Sequence, residues 1–189
     1  MIILALGPLY GAVMGSFHFD WPARIPLVLY SGAKVPLLLF TTTLLCLPGF
    51  FVLNTVSGLR DDFREALQAI LAGQAGLAVA LVGLAPLTRF WYFSTLSYRG
   101  ALLFNAGAFA VATLAGHMVM LRYYRVLIGR HRLHRVMLYG WVTMYAFVGI
   151  QMGWTLRPFI GDPNAPVSFF RQEPFTNAYM VVARLIFGP

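Results

Sequence analysis

Apolar residues in this chain come in long, nearly unbroken runs, not in the strict alternation of strands or the narrow stripes of soluble helices. Five such runs stand out, at residues 1–17, 35–56, 62–86, 100–121 and 136–156. Most approach the ~20 residues that carry a helix across a ~30 Å hydrocarbon core. Backbone polar groups in that core must be satisfied within the segment, so runs of this length form helices. The pattern predicts an all-α fold: one integral membrane domain over residues 1–189, a polytopic transmembrane helical bundle of about five spans. A short C-terminal interfacial or re-entrant helix completes it, because the apolar decamer 178–187 is too short to span and Arg184 interrupts it.

Local chemistry refines each run. Gly7-Pro8 and Gly11 predict a kinked or thin first helix, and re-entrance is the alternative. Residues 18–34, with Asp20, Trp21, Pro22, Arg24, Pro26 and Tyr30, read as a surface segment at the membrane–water interface. Pro36 is placed in the first turn of the second span, and Pro48 in its interior, where Thr41 to Thr43 help satisfy freed backbone groups. Asp62 followed by Glu65 predicts a capping box opening the third span. Small residues mark three contact faces: Ala69, Ala72, Gly76, Ala80 and Gly83; Asn105, Ala108, Ala112 and Gly116; and Ala146, Gly149 and Gly153. Such faces let helices approach closely. Gln74 and Gln151 lie away from the small faces of their own helices. An amide facing lipid is costly, so each is expected to meet a helix of this chain or of a partner subunit. Residues 88–99, with Trp91, Tyr92 and Tyr98, read as an aromatic-belt loop.

Charge fixes the orientation. Arg122, Arg125, Arg130, Arg132 and Arg135 crowd one short stretch between two spans, with His131 and His134 beside them. Short loops rich in arginine stay cytoplasmic. The count then places the N-terminus in and the C-terminus out, in the cytoplasmic (inner) membrane of a bacterium. Only 11 % of residues are charged and 59 % are hydrophobic, well removed from the roughly 25 % charge of soluble domains. The formal charge of +8 is therefore mostly topogenic, with anionic-lipid contact as the alternative, and nucleic acid is not an expected partner. Cys46, the single cysteine, can form no intrachain disulfide and reads as a packing residue.

No phosphate-binding loop, zinc-protease helix, paired-cysteine motif or nucleophile elbow is present. No acid sits in the middle of a span, which argues against a carboxylate proton relay. No catalytic or metal residue is expected, and no cofactor is required. His117 is the sharpest single candidate, because an intramembrane histidine can ligate haem or a chlorophyll-type magnesium, carry protons, or simply bond another helix. After the last span, the segment carrying Arg157, Asp162, Arg171 and Glu173 among several prolines reads as a shaped outer loop. It serves as a cap or a docking platform, with pairs expected between Arg157 and Asp162 and between Arg171 and Glu173.

The run Lys34-Val-Pro-Leu-Leu-Leu-Phe through Leu47-Pro48, then Leu53-Asn54 and the helix opening at Asp61, resembles Yip1-like small bacterial membrane proteins. So does Gln151-Met-Gly-Trp-Thr-Leu-Arg157-Pro158-Phe-Ile-Gly. The resemblance implies five spans with a cytoplasmic N-terminus and carries over no catalytic residue. The combined reading is a non-enzymatic integral membrane protein, a structural or accessory subunit of a larger membrane complex, with lipid and homo- or hetero-oligomeric protein subunits as partners. An oligomeric channel or transporter, and a pigment- or haem-binding subunit using His117, are the alternatives.

Overall fold

A computed structural model describes residues 2–18, 22–95, 97–162 and 166–170, and among them all regular structure is helical. The helices are α1 (Ile2–Gly15), α2 (Ile25–Val56), α3 (Phe63–Ser94), α4 (Tyr98–Arg130) and α5 (Leu133–Thr155). The last four are long and apolar enough to cross a membrane, with mean hydropathies of 2.0, 1.9, 1.6 and 1.2, while α1 has only 14 residues. The chain is an integral membrane protein built as a helical bundle. α1 packs on α2 and α3, α3 on α4, and α2 on α5, while α4 meets α5 more sparsely. The ends of α2, α3 and α4 project past the hydrocarbon, since 32 residues rise roughly 48 Å against a ~30 Å core.

Those projections overturn several boundaries. Residues 25–34 are no surface segment; they form the opening turns of α2, with Pro26 at the first-turn position where a missing N–H costs nothing. Pro36 is consequently interior. It packs against α1, where a Cβ on Gly7 would lie 3.1 Å from its ring. α3 runs through Pro86 to Ser94 and α4 opens at Tyr98, so Trp91, Tyr92 and Tyr98 are helical and lie in no loop. Ser97 caps α4, its hydroxyl oxygen accepting from Gly100 N at 3.1 Å. The basic stretch is likewise helical except at His131 and Arg132. A helix carries its arginines past the membrane without needing a loop.

Glycine sets the two closest helix pairs. Gly7, Gly11 and Gly15 form one face of α1, and a Cβ on Gly11 would fall on the Ser31 carbonyl oxygen, one on Gly15 2.8 Å from Leu27 O. On α3 the seam is offset by one residue from the expected stripe. Gly73 and Gly116 face each other so closely that a Cβ on Gly116 would lie 2.7 Å from Gly73 O. Gly76 lies against Val119, and Gly83 meets nothing within 4 Å. On α4 the expected stripe Asn105, Ala108, Ala112 and Gly116 is buried throughout. α5 is different: its buried residues are His134, Met137, Leu138, Trp141 and Tyr145, while Gly149 touches Thr42 at 3.6 Å and Gly153 meets nothing within 4 Å.

Two cores result. One joins α2, α3, α4 and α5 near the arginine-rich end, through Phe50, Ile70, Tyr124, Leu127, Trp141 and Tyr145. The other joins α1, α2, α3 and α4 toward the far end, through Tyr10, Phe17, Val35, Leu81 and Ala108, with Ile160 closing it. Leu44, Phe93, Leu103 and Val56 point outward, as helices in lipid require.

Candidate functional site

Polar side chains gather in four places, and each place has a structural cause. At the arginine-rich end, Asp62 and Glu65 do not form the expected capping box, and no side-chain cap bond opens α3. Both carboxylates turn to the neighbouring helices. Arg130 Nη1 lies 3.1 Å from Asp62 Oδ1 and 2.7 Å from Glu65 Oε2, and His134 Nε2 lies 3.0 Å from Asp62 Oδ2. The His134 bond, followed by the nearby Arg130 charge, holds the Asp62 carboxyl below the usual carboxylate range. His134 is wholly buried, edge-on to the Tyr124 ring at 6.0 Å. Arg122, Arg125, Arg132 and Arg135 are exposed and pair with no described acid.

In mid-bundle, Tyr145 donates to Gln74 Oε1 at 3.0 Å, joining α5 to α3. Gln74 thus meets another helix of this chain. Beside it His117 Nδ1 contacts Thr113 O at 2.7 Å. A carbonyl accepts, so Nδ1 carries the ring proton and Nε2 presents a lone pair. Nε2 has no partner. The adjoining cavity, lined by Gln74, Gly116, His117, Trp141 and Tyr145 among others, measures about 10 Å³. That is room for roughly one water molecule. Gln151 is half-buried on α5, where its carbonyl accepts from Thr155 Oγ1 at 3.0 Å.

Toward the far end, Asn105 is the hub of a buried network linking α1, α3 and α4. It accepts from Tyr10 OH at 3.0 Å and donates to Tyr92 OH at 2.7 Å and to Ala101 O at 2.8 Å. Tyr92 OH in turn donates to Met14 O at 3.4 Å.

The fourth place was missed in the sequence. Lys34 is completely buried, not an interfacial charge. Its ammonium donates to Pro158 O at 2.6 Å and lies over the Phe169 ring at 4.7 Å. Around it, Ser31 Oγ donates to Phe159 O at 2.6 Å, Arg24 Nη2 to Asp162 O at 3.0 Å, and Tyr98 OH to Ile160 O at 3.3 Å. Lys34 and Ser31 of α2, Arg24 just before it and Tyr98 of α4 thus grip the carbonyls of residues 158, 159, 160 and 162 and hold the segment after α5 as a cap over the far core. Arg157 stacks on Trp154, its guanidinium 3.4 Å from the ring centroid. The one available signal was Lys34 itself, the sole lysine, lying inside an apolar run that begins at Ile25 and not at Val35. Arg171, Glu173 and the apolar decamer lie outside the described residues.

No family model, curated protein or solved structure matches the chain. The functional reading therefore rests on the geometry of the bundle. Among the described residues, no group of three His, Cys, Asp or Glu side chains could hold a metal ion.

Proposed function

We propose that this chain is a non-enzymatic accessory subunit of a larger membrane complex in the cytoplasmic membrane, with the arginine-rich end inside. One observation carries it. Gln74, Asn105 and Lys34 are engaged in holding the bundle together, while the far half of α4 leaves small residues uncovered. Ala106, Gly107 and Ala110 are exposed there, and a Cβ on Gly107 would meet nothing within 4 Å. Small residues on a lipid-facing helix suit close approach by a second transmembrane helix, because packing and not the hydrophobic effect drives association in lipid. The test is mild-detergent purification from native membrane with mass measurement, comparing wild type with Gly107→Trp and with Leu44→Trp, an equally lipid-facing site on α2. A stoichiometric partner lost only in Gly107→Trp is expected. A monodisperse monomer, or a partner insensitive to Gly107→Trp, overturns the reading.

A second reading, a pigment- or haem-binding subunit, has the His117 tautomer in its favour. Histidine ligands characteristically give their other ring N–H to a carbonyl or carboxylate, as Nδ1 does to Thr113 O. A macrocycle would have to part α4 from α5 to reach Nε2. A Soret or chlorophyll-type band in the native preparation, lost in His117→Ala, is its signature.

A further inference from the structure

Along α4, Val111, Leu114, Met118, Arg122, Arg125 and Gly129 recur at spacings of three and four. They form one outward stripe: Val111 is 56 % exposed, Leu114 65 % and Met118 67 %, and the two arginines and Gly129 are exposed as well. The stripe changes character once, from apolar to doubly cationic, on the approach to the helix end. The apolar part from Val111 to Met118 covers about 10 Å of axis, most of one leaflet of hydrocarbon about 15 Å deep. Arg122 and Arg125 then stand where headgroups begin, and Tyr123, 58 % exposed, flanks them at the same depth as an interfacial anchor.

Neither guanidinium has a described intramolecular counter-charge. Of the three acids at this end, Asp62 and Glu65 are taken by Arg130 and His134, and Asp61 is exposed on the other turn. Side chains three apart on a helix have Cβ atoms about 5–6 Å apart. Two guanidinium forks at that spacing can converge on one tetrahedral phosphate, each offering paired N–H donors.

We infer that this face of α4 is a binding site for one anionic diacyl phospholipid, its phosphate held between Arg122 and Arg125 and an acyl chain lying along Met118, Leu114 and Val111. The juxtaposition of an uncovered apolar track with two unpaired cations at its end distinguishes the site from a general positive charge. Arg99, exposed at the opposite end of the same helix, provides the internal control.

The experiment is native mass spectrometry of the full chain released from nanodiscs containing equal phosphatidylglycerol and phosphatidylcholine. Wild type should retain one phosphatidylglycerol under activation that strips phosphatidylcholine. Arg122→Gln/Arg125→Gln should reduce that retained fraction roughly thirtyfold, about fivefold per arginine, with an unchanged melting temperature showing that the bundle is intact. Arg99→Gln should leave retention unchanged, and Met118→Asp should weaken it through the acyl track. Retention that survives the double substitution, or falls equally in Arg99→Gln, overturns the proposal. So does displacement of the lipid by inorganic phosphate, which would make the site a free-anion site, or by an acidic peptide, which would make it a protein contact.

Discussion

The two halves of this bundle differ in how closely their helix backbones approach and in how their polar groups are closed. Near the arginine-rich end the space between α2, α3, α4 and α5 is filled by large rings, with Phe50 edge-on to Trp141 at 5.1 Å and Trp141 beside Tyr145 at 5.8 Å. Its polar closure is ionic and half in water, through Asp62, Glu65, Arg130 and His134. In the far half α1 takes the place of α5, and Gly7, Gly11 and Gly15 bring its backbone against α2 while Tyr10 and Phe17 fill the space beyond, Phe17 lying 5.1 Å from Tyr92. Its polar closure is more enclosed: the buried Asn105 network and the part-buried carbonyls gripped by Lys34, Ser31, Arg24 and Tyr98. Side-chain packing can repack under substitution, whereas backbone against backbone cannot. Exposed ion pairs are screened by salt, while buried hydrogen bonds are not. The halves should therefore fail under different perturbations.

The sharpest way to break that contrast is Gly11→Ala. The added methyl falls on the Ser31 carbonyl with no side chain able to yield, so a loss of about 3 kcal/mol is expected, at the upper end of overpacking costs. Gly83→Ala, which meets nothing, should be neutral or slightly stabilising, since Ala is favoured over Gly in helices by roughly 0.5–1 kcal/mol. Met137→Leu in the ring-filled half should cost under about 1.5 kcal/mol. Thermal melts of the three variants in one detergent decide this; equal losses for Gly11→Ala and Met137→Leu would erase the distinction.

Next in size is Lys34→Met. The Pro158 carbonyl loses a charged donor, an interaction of roughly 1.5–3 kcal/mol, though removal of a buried cation offsets part of the loss in global stability. The readout is local. Hydrogen exchange in residues 156–162 should accelerate by about tenfold or more, a factor that corresponds to 1.4 kcal/mol, while α5 near Trp141 stays protected. A cap as slow to exchange as wild type would show that Lys34 does not hold it.

Asn105→Ala should come third, at roughly 1–2 kcal/mol, because the Tyr10 and Tyr92 hydroxyls lose a shared partner in a dry core. Tyr10→Phe made in the Asn105→Ala background should then add little. Additive losses would mean that the two act independently.

The smallest effect belongs to pH at the ionic end. Asp62 has a lowered folded-state pKa, so its stabilisation is present above the ordinary carboxylate pKa near 4 and is lost as pH falls through the lower folded value. Acidification into that range should loosen the junction of α3, α4 and α5 and leave the far half intact. Asp62→Asn should abolish the response, and high salt should blunt it. An acid transition that starts in the far half would contradict this assignment.

Much of this architecture is legible in the sequence. Hydropathy alone requires helices, since nothing else satisfies a backbone in hydrocarbon without a closed barrel, and the α4 stripe from Asn105 to Gly116 is readable from its period. Helix ends were less so. Prolines at positions 36 and 86 argue for boundaries, yet both lie inside continuous helices, Pro36 buried and Pro86 exposed. The Gly7–Gly11–Gly15 face was visible as a spacing of four, but the adjacent Pro8 drew the reading toward a kink. Lys34 was legible as a charge and not as a clamp, because the carbonyl it serves lies 124 residues away.

By itself the sequence determined the solvent. Runs of apolar residues with few charges specify helices in a bilayer, and the arginine cluster marks one end of them, because both follow from transfer free energies that each residue carries locally. The tertiary structure decided the partners of the polar groups. Asp62 and Glu65 could cap their own helix or reach for Arg130 and His134, Gln74 could face a subunit or Tyr145, and Lys34 could sit in water or under the cap. Each choice turns on which distant atom arrives within 3 Å, and that distance is set by packing and is absent from any local pattern.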